Sequence, residues 1–209
     1  MASIVSLKDR QKTLQLVNTE LKNIELNHLE MDYTSSGFYK KVQLQDYDHF
    51  VFVANDWMTS DEQSDARTWL GFLQLTHHKE YTNQPIIVEV MSSESEGLFE
   101  HQNTEVINSP ILAAHMITHV ALRPELNAVF DELFGPEGAE IILEPLSNFT
   151  KNQELYFYDL QRMSYDSGLI ALGYFDEHTG KSLLNPSKKD AIRVTEHLYV
   201  VLLTTASGV

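Results

Sequence analysis

Carboxylate and amide side chains lie where several predicted strands end. These strands span Ile24–Asp32, His49–Ala54 and Pro85–Met91, and each has a polar residue at or close to its C-terminal end. In open α/β sheets, ligands bind outside the C-terminal ends of the parallel strands. We therefore predict a cofactor-binding or ligand-binding edge with these members: Asp32, Asn55, Asp56 and Glu89.

A second acidic group lies in the first turns of the helix that follows His49–Ala54. Thr59 or Ser60 is predicted to cap this helix. With the strand-end acids, the group could supply part of the about six to eight oxygen ligands that Ca²⁺ takes. The alternative is solvated acids that stabilise the helix dipole, and the spacing matches no EF-hand loop. The candidate metal residues are Asp61, Glu62 and Asp65.

Motifs that bind nucleotides or carry out catalysis are missing from the sequence. It has no G-x-G-x-x-G or Walker A loop, no G-x-S-x-G and no H-E-x-x-H, and its first glycine is Gly37. We therefore predict that the chain is not an enzyme and that a nucleotide is a weaker candidate ligand than Ca²⁺. His115 and His119 could share a metal ion on one helix face, but we favour histidines at a helix or subunit interface.

Composition narrows the class of protein. The chain has 209 residues, a formal net charge of −15 at pH 7 and no cysteine. The charge argues against nucleic acid as a partner, since phosphates repel it. The absence of cysteine excludes disulfides and favours a reducing compartment. No run approaches the ~20 apolar residues that cross a bilayer, so we expect a soluble, cytoplasmic chain.

Strands and helices alternate along residues 1–120, which predicts a parallel sheet with helices on both faces. The strand at His49–Ala54 is almost continuously apolar, so we expect burial on both of its faces. A strand at Ala2–Leu7, a helix at Lys8–Leu21 and a short helix at Phe38–Leu44 are predicted before it, and a longer helix ending near His78 after it. The predicted apolar face of the longer helix comprises Ala66, Trp69, Leu70, Leu73 and Leu75.

A helix pair is predicted to join this lobe to the rest of the chain. A mostly apolar helix over Ile111–Leu122 ends at Arg123 and Pro124, because proline interrupts a helix but suits the first turn of the next one. The second helix stops at Gly135. We predict that residues 121–136 form a crossover helix used in dimerisation. Its contact residues are Leu126, Val129, Phe130 and Leu133.

Residues 137–209 predict a small α+β lobe. Strands are expected at Ala139–Glu144, Leu169–Tyr174 and His197–Thr204, with a helix at Tyr156–Asp166. The residues of that helix that should face inward are Leu160 and Met163.

Several stretches carry a family resemblance, of which PELNAVFDELFGPEGAEIILEP at Pro124–Pro145 is the most specific. The others are Ser64–Leu75, Asn108–Ala121, Gly168–Phe175 and Leu183–Ile192. Together they resemble the cytosolic RCK (TrkA-N-like) regulatory region of Castor/Pollux-type ion channels and their bacterial relatives, over nearly the whole chain. The fold class implied is α/β, with a Rossmann-like parallel sheet lobe, a helical crossover hinge and a small α+β C-terminal lobe.

The resemblance also implies a function. Such regions act as gating modules at the cytosolic face of the membrane, where they assemble as dimers or higher homo-oligomers on a channel pore and respond to calcium or a nucleotide. The family's first strand and glycine turn would precede Ala2, so we expect the Rossmann-like sheet to be incomplete at its N terminus. Two alternatives remain open: an NAD(P)-dependent oxidoreductase or other nucleotide-binding protein on the same fold, and an oligomerisation scaffold without a ligand.

Overall fold

The computed structural model describes residues 2–6, 26–35, 37–55, 58–135 and 138–205. The chain divides into two units, Met1–Ile117 and Thr118–Val209. The first is built on parallel strands and the second on an antiparallel sheet, which is the mixed α/β composition predicted. The predicted helix at 8–21 and the site residue Asp56 lie outside the described residues.

The parallel strands of the first unit form two ladders. In one, β1 (Ala2–Ser6) pairs with β2 (Leu26–Glu30). In the other, β4 (Ile86–Val90) lies between β3 (Phe50–Phe52) and β5 (Thr104–Asn108). Because β3, β4 and β5 run in the same direction, their C-terminal ends share one edge, as the sequence predicts.

The core of the first unit lies between the second ladder and helix α1 (Asp61–Thr76). Ile86, Val88 and Val90 alternate along β4 and are completely buried there. The segment predicted as a helix at Phe38–Leu44 instead forms two 3-10 turns, Phe38–Lys40 and Leu44–Asp46. The prediction of one helix is wrong because Gln43, between the two turns, has an extended backbone, with φ −86° and ψ 103°. The buried residues of this segment are Phe38, Tyr39, Val42 and Leu44.

Strand β3 is half-buried on one face and exposed on the other within the described part of the chain, so the prediction of two buried faces is wrong. Phe50 and Phe52 pack against the core, whereas Val51 and Val53 are 61% and 63% exposed. Side chains alternate between the two faces of a strand. The described part of the chain covers one face of this ladder with α1 and leaves these valines on the other.

The buried face of α1 also differs from the predicted one. Trp69 and Leu70 are 37% and 44% exposed and Ala66 is exposed. The buried positions are mostly small or polar, because their side chains pack tightly or bind neighbouring backbone groups. They are Ser64, Asp65, Thr68, Gly71, Phe72 and Leu75.

Helix α2 (Ser109–Leu122) and helix α3 (Leu126–Phe134) follow β5, and they form the helix pair predicted from the sequence. Neither helix contains a buried residue, although both are rich in apolar side chains. Helix α2 runs across the boundary between the two units at Ile117. None of the helices in the described part of the chain is long and apolar enough to cross a membrane.

The second unit contains a four-stranded antiparallel sheet. Its strands are β6 (Ala139–Pro145), β8 (Ile170–Asp176), β9 (Lys181–Leu184) and β11 (Leu198–Thr205). Across the sheet they lie in the order β6-β11-β8-β9. A smaller antiparallel pair joins β7 (Glu154–Tyr156) to β10 (Ala191–Arg193).

Helix α4 (Phe157–Asp166) packs on the core of this second unit. Leu160 is completely buried, and Met163 packs against the same core. Both residues therefore face inward, as predicted. The division into residues 1–120, 121–136 and 137–209 stays a prediction.

Candidate functional site

The predicted ligand edge lies at the C-terminal ends of the parallel strands. Asp32 follows β2 by two residues, Asn55 follows β3, and Glu89 is the penultimate residue of β4. Each of these side chains forms hydrogen bonds to a neighbouring element. What the edge can do therefore depends on how firmly each side chain is held.

Asp32 is held by its own turn and by helix α1. Its Oδ1 accepts hydrogen bonds from the Thr34 N–H at 2.9 Å, the Thr34 hydroxyl at 2.7 Å and Arg67 Nη2 at 2.6 Å. Burial disfavours the charged carboxylate, but these hydrogen bonds and the Arg67 charge outweigh it and place the pKa of Asp32 below its usual value. Asp32 therefore stays ionised at neutral pH and fixes the end of β2 to α1.

Tyr33 fills the space between β2, β3 and α1. The Arg67 guanidinium lies 5.0 Å from the centre of its ring, Phe52 meets it edge-on at 5.9 Å, and its hydroxyl accepts a hydrogen bond from Asn55 Nδ2 at 3.1 Å. The ring lies directly over Gly71 on α1. The predicted residues Asp32 and Asn55 are thus brought together through Tyr33 and Arg67, which the sequence analysis missed.

Replacing Gly71 with alanine is expected to lower the free energy of unfolding by about 1–2 kcal/mol, although alanine favours helices by about 1 kcal/mol over glycine. A Cβ at this position would lie 2.6 Å from two carbons of the Tyr33 ring, which is closer than packed atoms approach. Urea denaturation of Gly71→Ala measures the effect. Gly97→Ala is the matched control, because a Cβ added at Gly97 would have no atom within 4 Å apart from its chain neighbours. Equal stability of both variants and the natural protein would contradict tight packing of Tyr33.

Glu89 joins three segments at the same edge. Its Oε2 accepts a hydrogen bond from the Ala54 N–H at 2.8 Å, just beyond β3. Its Oε1 accepts one from the Ser109 hydroxyl at 2.5 Å, at the first residue of α2. The carboxylate predicted to bind a ligand therefore already connects the exit of β3 to the start of α2.

Asp65 is the most deeply buried of the predicted site residues, at 1% exposure. Its two carboxylate oxygens accept hydrogen bonds from the Met91 N–H at 2.9 Å and the Ser92 N–H at 3.0 Å. These two N–H groups belong to the two residues that directly follow β4. Asp65 thus closes the end of β4 from helix α1.

Asp61 and Glu62 lie in the first turn of α1 and are exposed. Ser60 is the N-cap, since its hydroxyl accepts a hydrogen bond from the Gln63 N–H at 3.3 Å. Bonds from the backbone N–H of Glu62 and from Ser60 lower the pKa of Glu62, as expected of an acid at a helix N terminus. No three His, Asp or Glu side chains in the described ranges are gathered closely enough to hold a metal ion. The metal role of Asp61, Glu62 and Asp65 stays a prediction.

Sequence relatives of the chain are plant ion channels. The ion channel DMI1 of Medicago truncatula is 28% identical over 68% of the chain, and the probable ion channel SYM8 of Pisum sativum is 29% identical over the same share. The ion channel POLLUX of Lotus japonicus is 23% identical over the whole chain. In sequence the chain is therefore similar to Pollux-type plant ion channels. It spans only 16%, 15% and 26% of the lengths of these three relatives, and no protein-family model matches it.

A solved structure gives independent evidence on the fold of the chain. The human SLO3 gating ring superposes on the chain with a TM-score of 0.66 at 12% sequence identity. The match covers 97% of the chain and 39% of the gating-ring chain. The likeness confirms the α/β fold class predicted from the sequence. At this identity it concerns the fold alone.

The predicted interface residues lie on one face of α3, which is a short amphipathic helix. Leu126, Phe130 and Leu133 are half-buried and Val129 is 47% exposed. The Phe130 ring meets His119 of α2 edge-on at 6.5 Å, which fits the interpretation of His119 as a histidine at a helix interface. Their role in an interface between subunits stays a prediction.

Proposed function

We propose that the chain is a cytosolic, ligand-sensing regulatory region of a cation channel, without catalytic activity. The proteins similar to it in sequence are named as ion channels. Its fold matches that of a gating ring over 97% of the chain. The relatives are several times longer than the chain, so the pore on which it acts is proposed to be a membrane part of such a longer protein or assembly. The region would then work at the cytosolic face of the membrane.

The uncovered helix pair α2–α3 is the observation that carries this proposal. Its two helices bury no residue in the described structure, and several large apolar side chains are mostly exposed. Apolar patches of this kind on an otherwise charged protein mark interaction surfaces. We infer that they form the contact in a homodimer or larger homo-oligomer. The most exposed are Ile117 at 68%, Leu122 at 77% and Phe134 at 66%.

For the ligand, we propose a cation such as Ca²⁺ at the strand-end edge that carries Asp32, Asn55 and Glu89. Asp56 is the fourth residue that the sequence predicts for this site. Negative charge attracts cations, and most of the charge of −15 lies in residues 1–140. The helix group of Asp61, Glu62 and Asp65 is the less favoured site, because Asp65 is 1% exposed whereas Glu89 is only half-buried. At either site, a cation would have to replace hydrogen bonds that the carboxylate already accepts. A nucleotide at the same edge would lack a glycine-rich loop to hold its phosphates.

The proposal predicts a self-associating protein that binds a cation. Light scattering is expected to give the mass of at least a dimer, against a chain mass of 23.9 kDa. Isothermal calorimetry with Ca²⁺, Mg²⁺, NAD and ADP in separate titrations is expected to show binding with Ca²⁺. A monomer that binds none of the four would overturn the proposed function. Binding of NAD with hydride transfer would instead support the oxidoreductase alternative.

A further inference from the structure

We propose that Glu89 is a positioning residue that couples the exit of β3 to the start of α2. Its carboxylate accepts hydrogen bonds from the Ala54 N–H at 2.8 Å and the Ser109 hydroxyl at 2.5 Å. Ala54 and Ser109 lie 55 residues apart in the sequence, and Glu89 bonds to both. Whatever moves the loop after β3 therefore acts through this carboxylate on the first residue of α2.

The strand that carries Glu89 gives the coupling a fixed base. Strand β4 lies between β3 and β5, and its side chains on the core face, at Ile86, Val88 and Val90, are 0% exposed. Such a strand does not shift without opening the core. Both hydrogen bonds end on the one carboxyl group that this strand carries at its end. Ala54 and Ser109 are thus positioned against the same rigid element.

The exit of β3 is held from its other side by α1 and by the end of β2. The Asn55 N–H donates to the Ser64 hydroxyl at 2.8 Å, and Asn55 Nδ2 donates to the Tyr33 hydroxyl at 3.1 Å. Ser64 is itself buried, at 2% exposure. The exit loop is therefore held on one side by Ser64 and Tyr33 and on the other side by Glu89. If the first set of hydrogen bonds is removed, only the bond to Glu89 among these contacts holds the loop.

The start of α2 has a corresponding second hold. The Asn108 side chain accepts a hydrogen bond from the Ile111 N–H at 3.1 Å and donates one to Glu96 at 2.9 Å. Asn108 caps the helix locally, whereas Ser109 ties it to the ligand edge through Glu89. Ser109 begins α2, which is one of the two helices proposed for self-association. The regulatory meaning of this coupling rests on the proposed function, but the coupling itself does not.

Hydrogen exchange of the protein without ligand tests the coupling, read in peptides that cover residues 50–55 and 108–114. Glu89→Ala is expected to speed exchange in both peptides by about tenfold, since it removes an acceptor from each segment. Ser109→Ala should speed exchange in the second peptide alone. Glu89→Gln should stay close to the natural protein, because its amide oxygen accepts from Ala54 and its amide nitrogen donates to Ser109. Glu105→Ala, an exposed acid on the adjacent strand β5, is the matched control and should change neither peptide.

A double-mutant cycle separates coupling from simple loss of structure. Ser64→Ala releases the Asn55 N–H at the β3 exit. It is expected to speed exchange at residues 108–114 about threefold when Ser109 is present and not to change it further in a Ser109→Ala background. The proposal is overturned if the two effects are independent, or if Ser109→Ala leaves residues 108–114 unchanged. Failure of Ca²⁺ to bind in calorimetry would count against the proposed function and leave this ligand-free result as it stands.

Discussion

Replacing Asp65 with alanine is expected to lower the free energy of unfolding by about 3 kcal/mol, a large effect for a single polar residue. Asp65 is 1% exposed, and its two oxygens accept the Met91 and Ser92 N–H groups at the end of β4. The alanine variant would lose two hydrogen bonds to a charged group and leave both N–H groups without this acceptor. Urea denaturation followed by circular dichroism measures the difference.

Two companion variants decide whether Asp65 is a structural residue or a metal ligand. Asp65→Asn keeps one oxygen acceptor and should fall between alanine and the natural protein. Asp61→Ala, at an exposed position in the first turn of the same helix, should change stability by less than about 0.5 kcal/mol. If Asp65→Ala abolished Ca²⁺ binding in calorimetry and left stability unchanged, the metal role predicted from the sequence would be correct and the structural role wrong.

Local signals in the sequence predict much of the fold. The apolar residues at Ile86, Val88 and Val90 alternate at the period of a strand, and Ser60 stands immediately before a run of helix formers. Arg123 and Pro124 separate α2 from α3 because a proline prevents continuation of one helix. In each case, the residues that specify the element lie within it or beside it.

The buried face of α1 could not be predicted in the same way. Periodicity locates buried faces by their apolar residues, but here Ser64, Asp65 and Thr68 are buried while Trp69 and Leu70 are exposed. Ser64 and Asp65 are buried because they bind N–H groups of chain segments outside α1. Nothing in the local sequence marks such long-range partners.

The candidate site was predictable in its position but not in its connections. The strand-end rule places Asp32 and Glu89 at one kind of edge, which the structure shows. Arg67, which binds Asp32 at 2.6 Å, lies 35 residues further along the chain and carries no motif. Ser109 is the first residue of α2 and donates a hydrogen bond to Glu89, which no pattern in the sequence predicts. Both partners depend on tertiary structure, which a single sequence does not display.

Replacing Phe130 with aspartate is expected to weaken self-association at least about thirtyfold, which corresponds to the ~2 kcal/mol lost at an interface hot spot. Phe130 lies at the centre of the apolar face of α3, between His119 at 6.5 Å and Phe134 at 6.3 Å. A charge at this position would have to be desolvated in any contact that covers the helix. Sedimentation equilibrium at several protein concentrations gives the dissociation constant.

Because Phe130 also contacts other residues of its own chain, a second variant separates association from folding. Val129→Asp places the charge on a residue that is 47% exposed within one chain, so it should weaken association while urea stability changes little. Ala128→Asp is the matched control, since Ala128 is exposed and lies on the opposite side of α3 from Leu126, Phe130 and Leu133. If all three variants associate like the natural protein, α3 is only a connection between the units and the self-association surface lies elsewhere. If Val129→Asp and Phe130→Asp dissociate it and Ala128→Asp does not, the apolar face of α3 is the contact between subunits.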